Sequence, residues 1–220
     1  MDRDALFLLL KGADFLNLSL SPVTLSILNL YLVELQRWAL VFNLVGQHDT
    51  TTVIQRHILD SLAISHLLPS RGSFVDLGSG AGFPGFILAA LEPRREYVLV
   101  EARRKRANFL KQVTRSTGIK NVWVHEGRAE HLSKQRGMVS AFHTVTTRAT
   151  WGISQFLAYS APLLRKDGIA LAMRGPRKGK ADGRGDTDCH ALSFDLDSTH
   201  DYLLPYGEGD RCALLFRKHG

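Results

Sequence analysis

Residues 75–85 read Val-Asp-Leu-Gly-Ser-Gly-Ala-Gly-Phe-Pro-Gly. An apolar β-type run, Ser73 to Leu77, leads into this stretch, and its glycines stand at 78, 80, 82 and 85. Pro84 occupies what reads as a first helical position, and Phe86 to Leu91 continue as an apolar helix. A strand that turns through glycines into a helix lets a ligand approach backbone N–H groups with no side chain in the way. Asp76 adds a carboxylate at the strand end. Such a turn suits a nucleotide-like ligand lying across the carboxyl end of a parallel sheet. The spacing leaves the cofactor class open. Gly80, Gly82 and Gly85 also satisfy G-x-G-x-x-G, and Glu101 follows about twenty residues on, where a ribose-binding acid belongs in a dinucleotide fold.

Working outward, the residues before 73 read as helical. Leu25, Leu28, Leu32, Leu35, Ala39 and Phe42 recur at spacings of three and four, an amphipathic stripe, with Ser21-Pro22 as its capped start. A second helix is predicted over Thr52–Leu67, ended by Pro69 and Gly72. From residue 73 strands and helices alternate. Strands are predicted at Ser73–Leu77, Tyr97–Glu101, Val122–His125, Phe142–Thr147 and Gly168–Arg174, and helices at Pro84–Leu91, Arg103–Thr117 and Ile153–Leu164. This order argues for an α/β fold with a mostly parallel sheet covered on both faces. Tyr202–Leu204 and Cys212–Arg217, around Pro205-Tyr206-Gly207-Glu208-Gly209, read as a closing antiparallel hairpin. Residues 1–71 are taken as a helical region packed on the core and 72–220 as the sheet domain. Trp38 and Trp123 read as core.

The chain has 220 residues, 45% of them hydrophobic, enough for one sizeable core. A formal net charge of +7 favours polyanionic partners, nucleic acid before membrane. No apolar run approaches the roughly 20 residues of a spanning helix, and Leu6–Leu10 is short for a signal segment; a cytoplasmic protein is expected. The two cysteines, Cys189 and Cys212, form no Cys-x-x-Cys and indicate neither zinc nor a disulfide framework. Residues 175–190 form a Gly- and charge-rich loop; its Arg184-Gly185-Asp186 is read as coincidence. The acids and histidine at Asp186, Asp188, His190, Asp195 and Asp197 match no metal-loop spacing, so no metal is expected.

The ordered set of segments resembles the Rossmann-like S-adenosylmethionine-dependent methyltransferases. More narrowly, it is similar to the glucose-inhibited division protein B family, the small-subunit ribosomal RNA guanine-N7 methyltransferases. The segments are Phe42-Asn43-Leu44, Arg56-His57-Ile58-Leu59-Asp60-Ser61-Leu62, the loop Asp76 to Gly85, Lys105 to Leu110, Gly127-Arg128-Ala129-Glu130, Thr147-Arg148-Ala149 and Arg174-Gly175. The likeness runs from about Leu32 to Arg217, nearly the whole chain. It departs from the family pattern at Arg174, where lysine is expected, and across 175–200.

The resemblance implies S-adenosylmethionine as cofactor. Backbone around Gly78, Gly80 and Gly82 would receive its carboxylate end, and Asp76 its cationic end. Glu101 would accept from the ribose hydroxyls, in place of the family's usual Asp. Phe83 would wall the site, Ala129 and Glu130 would recognise adenine, and Arg148 would lie where cofactor and incoming base meet. RNA would be tracked by Arg103, Arg104, Lys105 and Arg106, and by Arg174, Arg177 and Lys178, with Trp151 and Phe83 available to stack a splayed base. Guanine N7 carries a lone pair and no proton, so direct in-line displacement needs alignment more than a general base. No acid/base residue is therefore assigned, and His57 is read as structural. The implied partner is small-subunit ribosomal RNA or the small ribosomal subunit, and the implied state is monomeric. Two other readings stay open at this point: a nicotinamide-dependent oxidoreductase using the same glycine loop, and a non-catalytic RNA-binding module of the same fold.

Overall fold

A computed structural model describes residues 1–42, 44, 46, 49–148, 150–175 and 189–219. Helices α1 (Arg3–Phe15) and α2 (Pro22–Ala39) come first. Asp2 caps α1 by accepting from the Ala5 N–H, and Ser21 caps α2 from Thr24, with Pro22 at the first turn as the sequence predicted. The predicted second helix is a near-continuous coil of α3 (Thr50–Val53), a π-helical turn (Ile54–Ile58) and α4 (Leu59–Ala63), closed by a 3₁₀ turn over Ser65–Leu67.

Strands and helices then alternate: β1 (Ser73–Leu77), α5 (Gly85–Leu91), β2 (Glu96–Glu101), α6 (Arg104–Thr117), β3 (Val122–Glu126), α7 (Ala129–Leu132), β4 (Phe142–Arg148), α8 (Ile153–Ser160), β5 (Leu164–Arg174), β6 (Phe194–Leu203) and β7 (Asp210–Lys218). They form one sheet in the order β3-β2-β1-β4-β5-β7-β6. The first five strands run parallel to one another, and β7 runs antiparallel to both β5 and β6. A dinucleotide-binding sheet ordinarily has six parallel strands in the order 3-2-1-4-5-6. Here an antiparallel strand is wedged in before the sixth position.

Three expectations need correction. Trp123 is 50% exposed rather than core, because β3 is the edge strand and its alternation turns Val122 inward and Trp123 outward. The closing antiparallel hairpin is present as β6 and β7, with β7 lying between β5 and β6. Its first strand is longer than predicted: exposed polar residues such as Asp195, Asp197 and Asp201 hide an edge strand that periodicity alone does not reveal. Finally, the helix predicted over Ile153–Leu164 stops at Ser160, ahead of Pro162, and Leu164 already begins β5.

One apolar cluster joins the N-terminal helices to the sheet. Leu28, Tyr31, Leu32 and Leu35 of α2 pack with Phe83, Phe86 and Phe109. Tyr31 stacks on Phe86 at 5.2 Å, and its hydroxyl donates to the Ala81 carbonyl at 2.7 Å, so α2 holds the glycine loop from behind. A second cluster, on the other face, unites Val75, Val145, Phe156 and Leu157.

Candidate functional site

The carboxyl ends of β1, β2, β3 and β4 converge on a recess of about 220 Å³. Gly78, Val100, Glu101, Ala102, Arg103, Arg106, Gly127, Ala129, Thr150 and Trp151 line it. A Cβ at Gly78 would lie 2.9 Å from the Thr150 methyl and 3.2 Å from the Trp151 ring, and Gly78 itself sits at φ +70°. Glycine is therefore required there twice, by conformation and by the close approach of the β4–α8 segment. Trp151 is braced edge-on by Tyr159 at 5.6 Å.

The glycine loop keeps its shape through internal bonds. The N–H groups of Gly78 and Ser79 both donate to the Val100 carbonyl, that of Gly80 to Glu101 Oε2 at 2.9 Å, and that of Gly82 to the Ser79 carbonyl at 2.7 Å. This corrects the expectation that the backbone of Gly78, Gly80 and Gly82 presents open donors to a carboxylate: these N–H groups are already used.

Glu101 ends β2, is buried, and lines the recess. Its Oε1 accepts from Arg103 N–H at 2.7 Å and its Oε2 from Gly80 N–H. A carboxylate has about four lone-pair sites, so it retains capacity for a further pair of donors. Asp76 is also buried, but outside the recess lining. It accepts from Gly85 N–H at 3.0 Å and the Thr146 hydroxyl at 3.2 Å, tying the start of α5 and strand β4 to β1. The cationic-end role expected of it does not match this position, because its oxygens point into the protein's own hydrogen bonds. Ala129 lines the recess, whereas the Glu130 side chain pairs with Arg128 at 3.3 Å outside it. A hydrogen bond from its own backbone N–H holds the Glu130 carboxyl below its usual range. Phe83 also lies outside the lining: it is buried between Tyr31, His57 and Arg148, so it supports the arginine rather than walling the recess.

Arg148 ends β4 on the same sheet edge. Its guanidinium lies 4.9 Å over the Phe83 ring, and its Nη1 donates to Asp60 Oδ2 at 3.4 Å and to the Arg56 carbonyl at 3.5 Å. Of the predicted RNA-facing cations, Arg103, Arg104 and Lys105 are exposed at the start of α6, Arg106 is half-buried, and Arg103 and Arg106 line the recess. Arg174 ends β5. Arg177, Lys178, Asn43 and Ala149 lie outside the described residues. The sequence reading missed Thr150 and Gly127 as lining residues. For Gly127 the signal was present, since it opens the quoted segment Gly127 to Glu130; a Cβ there would meet His125 Nε2 at 2.5 Å.

Two groups beside this site, the half-buried His57 and the buried Asp76, shift in opposite senses. Burial, then the positive charge of Arg148, pushes the His57 imidazole down to about 4. Burial pushes the Asp76 carboxyl up to about 6, with the bond from Gly85 the largest opposing influence. Between the unfolded imidazole value of 6.5 and about 4, the unfolded chain takes up the His57 proton and the folded chain does not, so that contribution to stability is lost as pH falls. For Asp76 the folded chain takes up the proton first, between about 6 and 3.8, so its contribution is present at low pH and lost as pH rises. The two slopes oppose each other over one window. His57→Phe keeps a ring on Phe83 and removes the first slope. From pH 7 to pH 4.5 its unfolding free energy, measured with urea, should rise against wild type by about 2 kcal/mol. Parallel curves for the two proteins would refute this.

Elsewhere, His190, Asp195 and His219 bring ligand-type atoms within 4.8 Å of one another at the β6 edge. Asp195 pairs with both imidazoles at 3.3 Å. Among the described residues, no helix is long and apolar enough to cross a membrane.

Comparison with known proteins bears on this geometry. A family model described as rRNA small subunit methyltransferase G matches residues 24–202. Ribosomal RNA small subunit methyltransferase G of Halorhodospira halophila is 37% identical over 162 residues, covering 74% of this chain and 75% of that protein. The protein of the same name from Geobacter sp. (strain M21) is 32% identical and covers 98% of each chain. Among solved structures, M. jannaschii TYW2 in complex with AdoMet superposes with a TM-score of 0.54 at 12% identity, over 74% of each chain. That likeness speaks to the fold, and the sequence matches to the family. A match spanning most of the chain, with relatives 37% identical over 74% of it and 32% identical over 98% of it, places this protein: it belongs to the rRNA small subunit methyltransferase G family.

Proposed function

We propose that the protein transfers a methyl group from S-adenosylmethionine to N7 of a guanine in small-subunit ribosomal RNA, acting in the cytoplasm. The observation that carries this reading is the recess at the carboxyl ends of β1–β4, floored by Gly78 and flanked by Glu101, Ala129 and Trp151, in a chain of this family.

The residues present fit the cofactor. Glu101 retains lone pairs for two hydroxyls after serving Gly80 and Arg103. Ala129 offers a small side chain and backbone at the far wall. The glycine at 78 lets Thr150 and Trp151 close over the loop and shape that wall. When bound, the cofactor supplies an activated methyl on a sulfonium. The protein's work is then alignment and exclusion of water. Trp151 and Thr150 close one side, Arg103 and Arg106 the other. Arg148, held on the adjoining strand end, serves the meeting point of cofactor and base. No proton need leave guanine N7, in keeping with a His57 that is neutral at pH 7 and turned onto Phe83.

Arg103, Arg104 and Lys105, exposed beside the recess, are proposed to meet the phosphate backbone, with Arg174 further along the same sheet edge. The nicotinamide alternative is disfavoured by the wedged antiparallel β7 and by the family match. The test is methyl transfer from labelled cofactor to unmethylated small-subunit RNA and to assembled subunits, with the modified base mapped, alongside calorimetry with each cofactor. Labelled guanine N7 is the expected product. Absence of both transfer and S-adenosylmethionine binding would sink the proposal.

A further inference from the structure

Arg148 is held from outside the strands that form the recess. The carboxylate of Asp60, at the start of α4, is buried and split between two partners: Oδ2 accepts from Arg148 Nη1 at 3.4 Å, and Oδ1 from the Tyr202 hydroxyl at 2.8 Å. Tyr202 belongs to β6, at the far edge of the sheet order. The Arg56 carbonyl that also accepts from Arg148 lies in the π-helical turn Ile54–Ile58. Turns of this type recur inside helices at functional sites. The same turn is pinned to the C-terminal hairpin by an ion pair between Arg56 and Glu208.

A buried carboxylate is expensive to desolvate and contributes little net stability even when paired. What such a pair does well is fix geometry. The guanidinium has Phe83 against one face, Asp60 and the Arg56 carbonyl at Nη1, and Nε and Nη2 take no part in those two bonds. An arginine so held is oriented before any ligand arrives, and an oriented donor loses less freedom when it binds.

We infer that Asp60 and Tyr202 are positioning residues that set the orientation of Arg148 for methyl transfer, so that the N-terminal helices and the C-terminal hairpin jointly tune a strand-end arginine between them. This rests on the proposed role of Arg148 in the methyl-transfer reaction. It concerns neither the cofactor wall nor RNA docking, so the turnover step should feel it more than either binding step.

A double-mutant cycle tests it. Arg148→Ala, Asp60→Asn and Tyr202→Phe are made singly, and the last two are repeated in the Arg148→Ala background. Each is assayed for kcat, for KM toward cofactor and RNA, and for its melting temperature, with kinetics well below every melt. In the native background Asp60→Asn should lower kcat about tenfold to a hundredfold and Tyr202→Phe about threefold to tenfold, with KM for the cofactor little changed. In the Arg148→Ala background neither should change kcat further, while any loss of melting temperature persists. Losses of kcat that repeat in full without Arg148 would overturn the inference, because a merely structural role predicts that pattern. Impaired Arg148→Ala with unimpaired Asp60→Asn and Tyr202→Phe would overturn the inference and leave Arg148's own role standing. A fully active Arg148→Ala would remove that role, and the inference with it. Should Asp60→Asn fail to fold, Tyr202→Phe, which deletes one oxygen, carries the same comparison.

Discussion

Replacing Glu101 with alanine is expected to cut the affinity for S-adenosylmethionine by about a hundredfold or more. Two losses combine. The carboxylate that would accept from the ribose is gone, and the backbone N–H groups of Gly80 and Arg103 lose the acceptor they share. The second loss loosens both walls of the recess at once, because Gly80 sits in the glycine loop and Arg103 immediately precedes α6. Removing a carboxylate beside a helix N-terminus adds to the effect. Glu101→Gln keeps the shape and one acceptor oxygen, and should fall between alanine and wild type. Isothermal titration of the three proteins decides, with the circular dichroism spectrum as a check on the fold. Equal affinities for wild type and Glu101→Ala would remove Glu101 from the cofactor site.

The largest stability effect is expected at Gly85, where any side chain is a collision. A Cβ there would lie 2.5 Å from Leu99 Cδ2 and 2.7 Å from the Asp76 Cβ, both on buried strands. The glycine is what lets α5 approach β1 closely enough for the Gly85 N–H to reach Asp76. Gly85→Val should therefore cost about 3 kcal/mol or more through overpacking and the loss of that bond. Gly85→Ala should cost less but still measurably. Denaturant midpoints for the pair provide the measurement, and a valine variant within about 0.5 kcal/mol of wild type would contradict the geometry.

Much of this architecture was legible in the sequence because its parallel strands are buried on both faces and read as apolar runs. Ser73–Leu77, Tyr97–Glu101 and Phe142–Thr147 agree with β1, β2 and β4 to within a residue at each end. The edges were harder to read. Trp123 and the polar residues of β6 lie where one face meets solvent, and composition there reflects solubility rather than strand direction.

The site divides in the same way. Glu101 ends β2, Gly78 follows β1 and Ala129 opens the helix after β3, so local order along the chain placed them on the recess. The internal use of the loop's N–H groups was not legible, because it depends on where the Val100 carbonyl and the Glu101 side chain fall in space. Nor was the Asp60–Tyr202 contact, which joins residues 142 positions apart and carries no motif of its own.

The hydroxyl of Tyr31 on the Ala81 carbonyl bears on how this protein can be taken apart and rebuilt. The glycine loop is usually treated as a portable element that travels with its strand and helix. Here a residue from the second helix of the chain fixes its middle, fifty positions upstream, and stacks on the first turn of the helix that follows it. A chimera that grafts the sheet onto a different N-terminal region would inherit the loop's sequence without its grip. Exchange between relatives should therefore succeed only when α2 and the loop are moved together.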